Sequence, residues 1–316
     1  MLDAVIGQGN AVRYLRKVVD GQIKSPLLLV GDEGTGRKFS VIQAIKEVMA
    51  QKTGSTGTDI AQVTHNAHPD VTLVSSVDDK DLGIDPIREV ISKSEYSPIA
   101  APYRFFIIDG ADRLTPAAAN ALLKTIEEPP SFSRFFLLAE SFDRVIPTIR
   151  SRCGRVDFQR LPESFIVERI SKFETNPDKA LVYARIGEGS VGRASRYFGS
   201  NRLVFRDRVL NFLQLSANGD LSSSFEVIDG LLKELSLALR FLVFLVHDLM
   251  VLNVDPDRVI NMDLLEDLSA MRLKLNPSTL MQLWSELRVV WERNESSYVN
   301  LPFQLKSTLA SVFARV

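Results

Sequence analysis

Tyr103 to Cys153 reads YRFFIIDGADRLTPAAANALLKTIEEPPSFSRFFLLAESFDRVIPTIRSRC, and its alternation of apolar and polar runs decides the fold. Phe105–Ile108 is a short continuous apolar run, the pattern of a strand covered on both faces of a parallel sheet, and Asp109 closes its carboxyl end. Thr115 and Pro116 stand where an N-cap and a first helical residue belong. Ala118, Leu122, Leu123 and Ile126 then recur on one helical face until Pro129-Pro130 stops the helix. Phe135–Leu138 makes a second buried strand, and the following loop ends in Ser151-Arg152-Cys153.

An acidic residue after an apolar strand often serves only turn chemistry, so Asp109 gains weight from its company. Upstream, Leu27–Val30 is another buried-strand run, followed by Gly31-Asp32-Glu33-Gly34-Thr35-Gly36-Arg37-Lys38. A helix with Val41, Ile42, Ile45, Val48 and Met49 on one side comes next. Strand, glycine loop and helix together form a phosphate-binding P-loop, in which backbone N–H groups and a helix N-terminus hold phosphate oxygens. The pattern G-x-x-x-x-G-K-[ST] aligns Gly31 and Gly36, but puts Arg37 at the lysine and Lys38 at the Ser/Thr position. A lysine has no lone pair for magnesium, and a planar arginine does not replace a compact ammonium. The backbone amides of the loop survive these changes, so the residues leave open whether ATP or ADP still binds.

His68-Pro69-Asp70, the run 107–130 and Thr148–Cys153 resemble the AAA+ clamp-loader subunits of bacterial DNA polymerase III. The resemblance is strong over the first half of the chain and weak beyond it. It implies an Asp-Glu pair where this chain has Asp109-Gly110, so the glutamate that polarises the attacking water is absent. Within the family, the altered nucleotide motifs are similar to those of the delta-prime subunit rather than of the ATP-hydrolysing gamma/tau subunit. Such a chain acts by interaction, as the rigid member of a ring with gamma/tau and delta subunits that opens a sliding clamp and places it on primer–template DNA. It requires no cofactor of its own. The resemblance also assigns Arg152, in the Ser151-Arg152-Cys153 tripeptide, as an arginine finger acting in trans on a neighbour's ATP. Two other readings stand beside this one: an active gamma/tau-like ATPase with divergent motifs, and a related AAA+ motor or DNA-repair factor.

The family's four-cysteine zinc module would fall in Gln51–Ala67, which contains no cysteine. His65 and His68 alone make a poor site for a metal that wants four ligands, so no zinc is expected. Cys153, the single cysteine, excludes an internal disulfide and reads as a packed residue in a reducing compartment. Ile6-Gly7-Gln8 and the helix after it are similar to the family segment that walls the adenine pocket.

Alternating strands and helices through Phe158, including Val71–Val74 and a helix capped by Asp85 with Pro86 first, predict a doubly wound parallel sheet. The pattern then turns to short helices at Glu163–Phe173, Lys179–Ile186 and Val191–Phe198. By resemblance these form a lid whose sensor-arginine position falls at Gly192, so that the arginine is missing there, and a one-residue shift of register would supply it as Arg193. The expected domains are thus an AAA+ nucleotide-binding-like domain at 1–160, a helical lid at 161–201 and an all-α collar at 202–316. Leu235–Leu252 is long and apolar, but Arg240, His247 and Asp248 interrupt it, which favours a buried helix over a membrane span. The first residues lack a basic segment followed by an apolar one, so a cytoplasmic location is expected. A length of 316 residues, 45% apolar and 24% charged, suits two or three globular domains. The net charge of −1 argues against a chain that grips nucleic acid by overall basicity, and leaves open a local basic surface on one domain.

Overall fold

The computed structural model describes residues 1–53, 61–63, 67–76, 80–294 and 301–313. Contacts divide the chain into two units, the first made of Met1–Leu161 with Ser190–Gly192, the second of Pro162–Gly189 with Arg193–Val316. Apart from Leu161 and Ser190–Gly192, the residues expected as lid and collar fall within the second unit.

The first unit is built on five parallel strands: β1 (Leu27–Val30), β2 (Val71–Ser75), β3 (Arg104–Asp109), β4 (Ser133–Ala139) and β5 (Gly154–Asp157), in the order β2-β3-β4-β1-β5. Continuous apolar strands demand cover on both faces, and they receive it. Leu27, Leu29, Phe105 and Ile107 point to one side, where α1 (Gly9–Val19) and α2 (Arg37–Thr53) supply Leu15, Val18, Val41, Ile45 and Val48. Leu28, Val30, Phe106 and Ile108 point to the other, against α3 (Ile84–Ser94) and α4 (Pro116–Glu127) with Ile87, Val90, Ala118 and Leu122. The Phe106 and Phe135 rings stack at 4.9 Å on neighbouring strands. Fully burying each such side chain contributes about 1.5–3 kcal/mol, which fixes the strand register and hence where each strand ends.

Thr115 caps α4 as expected, accepting the Ala118 amide at 3.2 Å, with Pro116 first in the helix. The cap expected of Asp85 is corrected: α3 begins one residue earlier, and Gly83 is its N-cap with no side-chain bond. Asp85 instead lies in the first turn, where its charge suits the helix dipole. Asp70 is buried and accepts the amides of Ile99 (2.8 Å), Ala100 (2.7 Å) and Ala101 (2.8 Å), closing the loop before β3. His68 Nδ1 accepts the Asp70 amide at 3.1 Å. His65 lies outside the described residues.

After a single helical turn, α5 (Pro147–Arg150), the second unit is helical: α6 (Glu163–Ile170), α7 (Pro177–Ile186), α8 (Val191–Gly199), α9 (Arg202–Ala217), α10 (Leu221–Leu231), α11 (Leu235–Val251), α12 (Leu265–Arg272), α13 (Pro277–Asn294) and α14 (Leu301–Phe313). The first two residues of α8 group with the first unit. Among the described residues, no helix is long and apolar enough to cross a membrane. Helix α11 buries Leu239, Phe241, Leu242, Leu245, Val246 and Leu249, and leaves His247 half-buried beside the Trp284 ring. Asp248 is buried and accepts the amides of Ile260 and Asn261.

Candidate functional site

The site lies at the carboxyl edge of the sheet, where open α/β folds bind ligands. Strand β1 delivers the chain into the loop Gly31–Gly36, and α2 begins at Arg37. Gly34 and Gly36 have φ of +75° and +99°. Thr35 is buried and closes the turn, its hydroxyl donating to the Asp32 carbonyl at 2.7 Å. Gln8, also buried, donates through Nε2 to the carbonyls of Thr35 (3.3 Å) and Gln159 (2.7 Å), and its Oε1 accepts the Gln159 amide at 3.0 Å. The segment before α1 thereby ties the loop to the chain leaving β5.

The two unusual loop residues both meet carboxylates. Lys38 Nζ stands 3.6 Å from Oδ2 of Asp109, at the end of β3. Arg37 is nearly buried, with Nη2 3.9 Å from Oε1 of Glu140, the residue after β4. Arg113 lies 3.8 Å from the other oxygen of Glu140. Glu140 is 40% exposed, and the partial desolvation it does suffer raises its carboxyl pKa, with Asp112 and Glu33 adding to that against the opposing pull of Arg37 and Arg113. Asp112 accepts the amides of Glu140 and Ser141 at 3.1 and 3.3 Å, fixing the end of β4.

A P-loop ATPase holds magnesium between a Ser/Thr hydroxyl and the strand-end aspartate. Those residues do not fit the ion here, because an ammonium group already faces Asp109 and offers no lone pair. Gly110 adds a second obstacle, since its φ of +105° strains any side chain, and a β-carbon there would approach Ser76 Oγ to 3.2 Å. At Gly192 the amide donates to the Gly34 carbonyl at 3.2 Å. Arg193 pairs with Glu188 at 2.6 Å.

Arg152 follows the short helix α5. Its Nε donates to Glu127 Oε2 at 3.0 Å and its Nη1 to the Thr148 carbonyl at 3.1 Å, with a longer approach to Ser151 Oγ at 3.4 Å. About a third of the side chain remains exposed. Next to it, the Cys153 thiol is pushed up to about 12 by burial, so it is not poised as a thiolate.

Sequence reading placed Gly31, Gly34, Thr35, Gly36, Arg37, Lys38 and Asp109 at one strand edge, and the structure brings them together. It missed Glu140 and Glu127 as the partners of Arg37 and Arg152. The signal for Glu140 was present, because it follows the apolar run of β4 as Asp109 follows that of β3.

The strand order, the loop after β1 and the acidic end of β3 define a P-loop domain of the AAA+ class. A family model described as DNA polymerase III, delta subunit matches residues 7–162. The DNA polymerase III subunit delta' of Escherichia coli (strain K12) is 31% identical over 224 residues, 70% of this chain and 66% of that protein. The DNA polymerase III subunit tau of Bacillus subtilis (strain 168) is 30% identical over 174 residues, 53% of this chain and 31% of that protein. The matches thus span less than two thirds of these relatives. In fold, the chain is similar to a gamma-subunit-related DNA polymerase III protein from Thermotoga maritima, with a TM-score of 0.54 at 18% identity, covering 97% of this chain and 99% of that one. The chain belongs to the bacterial clamp-loader AAA+ family.

Proposed function

We propose that this chain is the delta-prime-type subunit of a DNA polymerase III clamp loader, a non-hydrolysing stator in the cytoplasm. Its partners are gamma/tau and delta subunits, and through them a sliding clamp and primer–template DNA. The observation that carries the proposal is the Lys38–Asp109 pair, which puts an ammonium where hydrolysis needs a hydroxyl and a metal ion. The glycine at 110 supports it, because no side chain there can polarise water. Neither magnesium nor zinc is required of this subunit.

Arg152 supplies the chain's contribution to chemistry, as a guanidinium presented to the ATP of an adjacent subunit. A planar, permanently charged fork matches phosphate oxygens and offsets charge that develops in transfer. Its anchors, Glu127 and the Thr148 carbonyl, take Nε and Nη1, and Nη2 has no hydrogen bond among the described residues.

The test is reconstitution with gamma/tau and delta subunits and a clamp. The isolated chain shows no magnesium-dependent ATPase, and Arg152→Ala preserves assembly while lowering clamp-stimulated ATPase of the complex. An arginine finger contributes roughly 10³–10⁵ in rate at its own interface, so total turnover falls by less where other interfaces stay active. A mutant complex with wild-type hydrolysis and loading refutes the role of Arg152.

A further inference from the structure

We infer that a cleft in the helical unit, lined by α11, α13 and the chain after α7, binds a small organic monoanion with a flat apolar body, of which an aromatic carboxylate is the simplest form. All its lining residues belong to the second unit, so it shares none with the phosphate loop or with Arg152.

The cleft has a volume of about 280 Å³ and is lined by Glu188, Arg240, Val243, Phe244, Trp284 and Arg288. Helical spacing accounts for this mixture. Arg240 and Phe244 on α11, like Trp284 and Arg288 on α13, stand four residues apart, so each helix offers a guanidinium and, one turn away on the same face, an aromatic ring. Phe244 is buried, Trp284 is half-buried and Arg288 is exposed, which sets the rings deeper than the outer guanidinium. The Trp284 ring also meets that of His247, centroid to centroid at 6.4 Å. Apolar walls with a few placed polar groups are the usual composition of a small-ligand site.

Arg240 is held in place at the cleft wall. Its Nη1 donates to the Tyr197 hydroxyl at 3.0 Å and its Nη2 to Glu188 Oε2 at 3.2 Å, the oxygen that Arg193 also meets at 2.6 Å. Glu188 lies just beyond α7 at a φ of +48°, a left-handed conformation that glycine takes without strain and that helix ends usually give to it. A glutamate there accepts the strain and brings a carboxylate to two arginines. Among the lining residues, Arg240 and Arg288 outnumber Glu188 by one positive charge. A monoanion balances that surplus, whereas a second negative charge would face Glu188 and a cation would face two guanidiniums. Arginine forks match a planar carboxylate, and an aromatic body packs against the Phe244 and Trp284 rings.

Isothermal titration of the 316-residue chain with naphthoate, and with naphthamide as its uncharged counterpart, tests the inference. Naphthoate is expected to bind with a dissociation constant below about 1 mM, and naphthamide about tenfold or more weaker. Arg288→Gln removes an exposed charge, and is expected to weaken naphthoate by about tenfold while leaving naphthamide within about twofold. Val243→Phe fills the cleft, and is expected to weaken both probes by about tenfold. Far-ultraviolet circular dichroism confirms that the variants fold. The inference is overturned by an absence of naphthoate binding at about 10 mM, by naphthamide binding as tightly as naphthoate, or by either variant binding naphthoate as wild type does. No nucleotide or partner subunit enters the titration, so the cleft and the proposed function can fail separately.

Discussion

The amide of Gly192 donates to the carbonyl of Gly34 across 3.2 Å, and a β-carbon at 192 would stand 2.9 Å from the Gly34 Cα. The position that the resemblance assigns to a sensor arginine is thus pressed against the phosphate loop itself. Restoring the side chain cannot restore the function without moving backbone on one side or the other. Gly192→Ala is expected to destabilise the protein by about 1–3 kcal/mol, the range for forced overpacking. Gly192→Arg is expected to cost at least as much and to create no ATPase. Urea midpoints and a coupled ATPase assay check both, and an unchanged midpoint for Gly192→Ala would show that the contact yields freely.

Asp70 gives the second expectation. Its two oxygens serve three consecutive amides, from Ile99 to Ala101, in a site closed to solvent. Removing the carboxylate strands those donors, at about 1–3 kcal/mol for each buried group left unpaired. Asp70→Ala is expected to lower stability by roughly 3 kcal/mol or more, while Tyr96→Ala in the same exposed loop stays within about 0.5 kcal/mol. Equal midpoints for the two variants would show that the loop closes by other means.

Glu140 makes stability depend on pH. Its folded-state pKa lies above the unfolded value, mainly through partial desolvation at the end of β4, so the folded state holds the proton more tightly. The resulting stabilisation is fully present below the unfolded pKa and is lost as pH rises through the folded one. Glu140→Gln removes this dependence. The variant is expected to gain on wild type as pH rises from about 4 to about 7, and thermal unfolding across that window measures it. A difference that does not vary with pH would contradict partial desolvation of the carboxyl as the origin of the effect.

The inner strands β1, β3 and β4 were legible because both their faces are covered, which leaves unbroken apolar runs such as Leu27–Val30, reproduced residue for residue in β1. Thr115-Pro116 was legible because a cap acts on its own helix. The partners of the site residues were not, because each pairing joins elements far apart in the chain. Lys38 meets Asp109 and Arg37 meets Glu140 only after the ends of β1, β3 and β4 are brought side by side, and Arg152 meets Glu127 only where the loop after α5 returns to the end of α4. The sequence showed that the magnesium ligand was gone, but the ammonium facing Asp109 becomes visible only in three dimensions. The His-Pro-Asp segment was read as a family mark, whereas its aspartate acts as a backbone clamp on residues far along the chain.

Cys153 offers a chemical check on the loop that carries Arg152. Burial raises its pKa to about 12, so almost none is thiolate at neutral pH. The native protein is expected to resist iodoacetamide at about pH 8, below the ordinary cysteine pKa, and to take up a single label per chain in denaturant. Fast native labelling would mean that the loop opens readily.

Arg152 is held by Glu127 at 3.0 Å, yet both side chains face solvent over about a third or more of their surface. An exposed pair of this kind contributes about 0–1 kcal/mol, little enough for a phosphate to displace it. Under the proposed role of Arg152, Glu127 orients the guanidinium before a partner arrives and gives it up to a more highly charged acceptor. Glu127→Gln keeps the shape and weakens the hold. Its stability is expected to lie within about 1 kcal/mol of wild type, and clamp-stimulated ATPase of the reconstituted complex is expected to be unchanged or modestly higher. Arg152→Lys keeps the charge but loses the fork, and is expected to resemble Arg152→Ala in that assay. If Glu127→Gln abolishes the stimulated activity as Arg152→Ala does, the carboxylate is needed in the assembled state, and its description as a displaceable rest for the arginine is wrong.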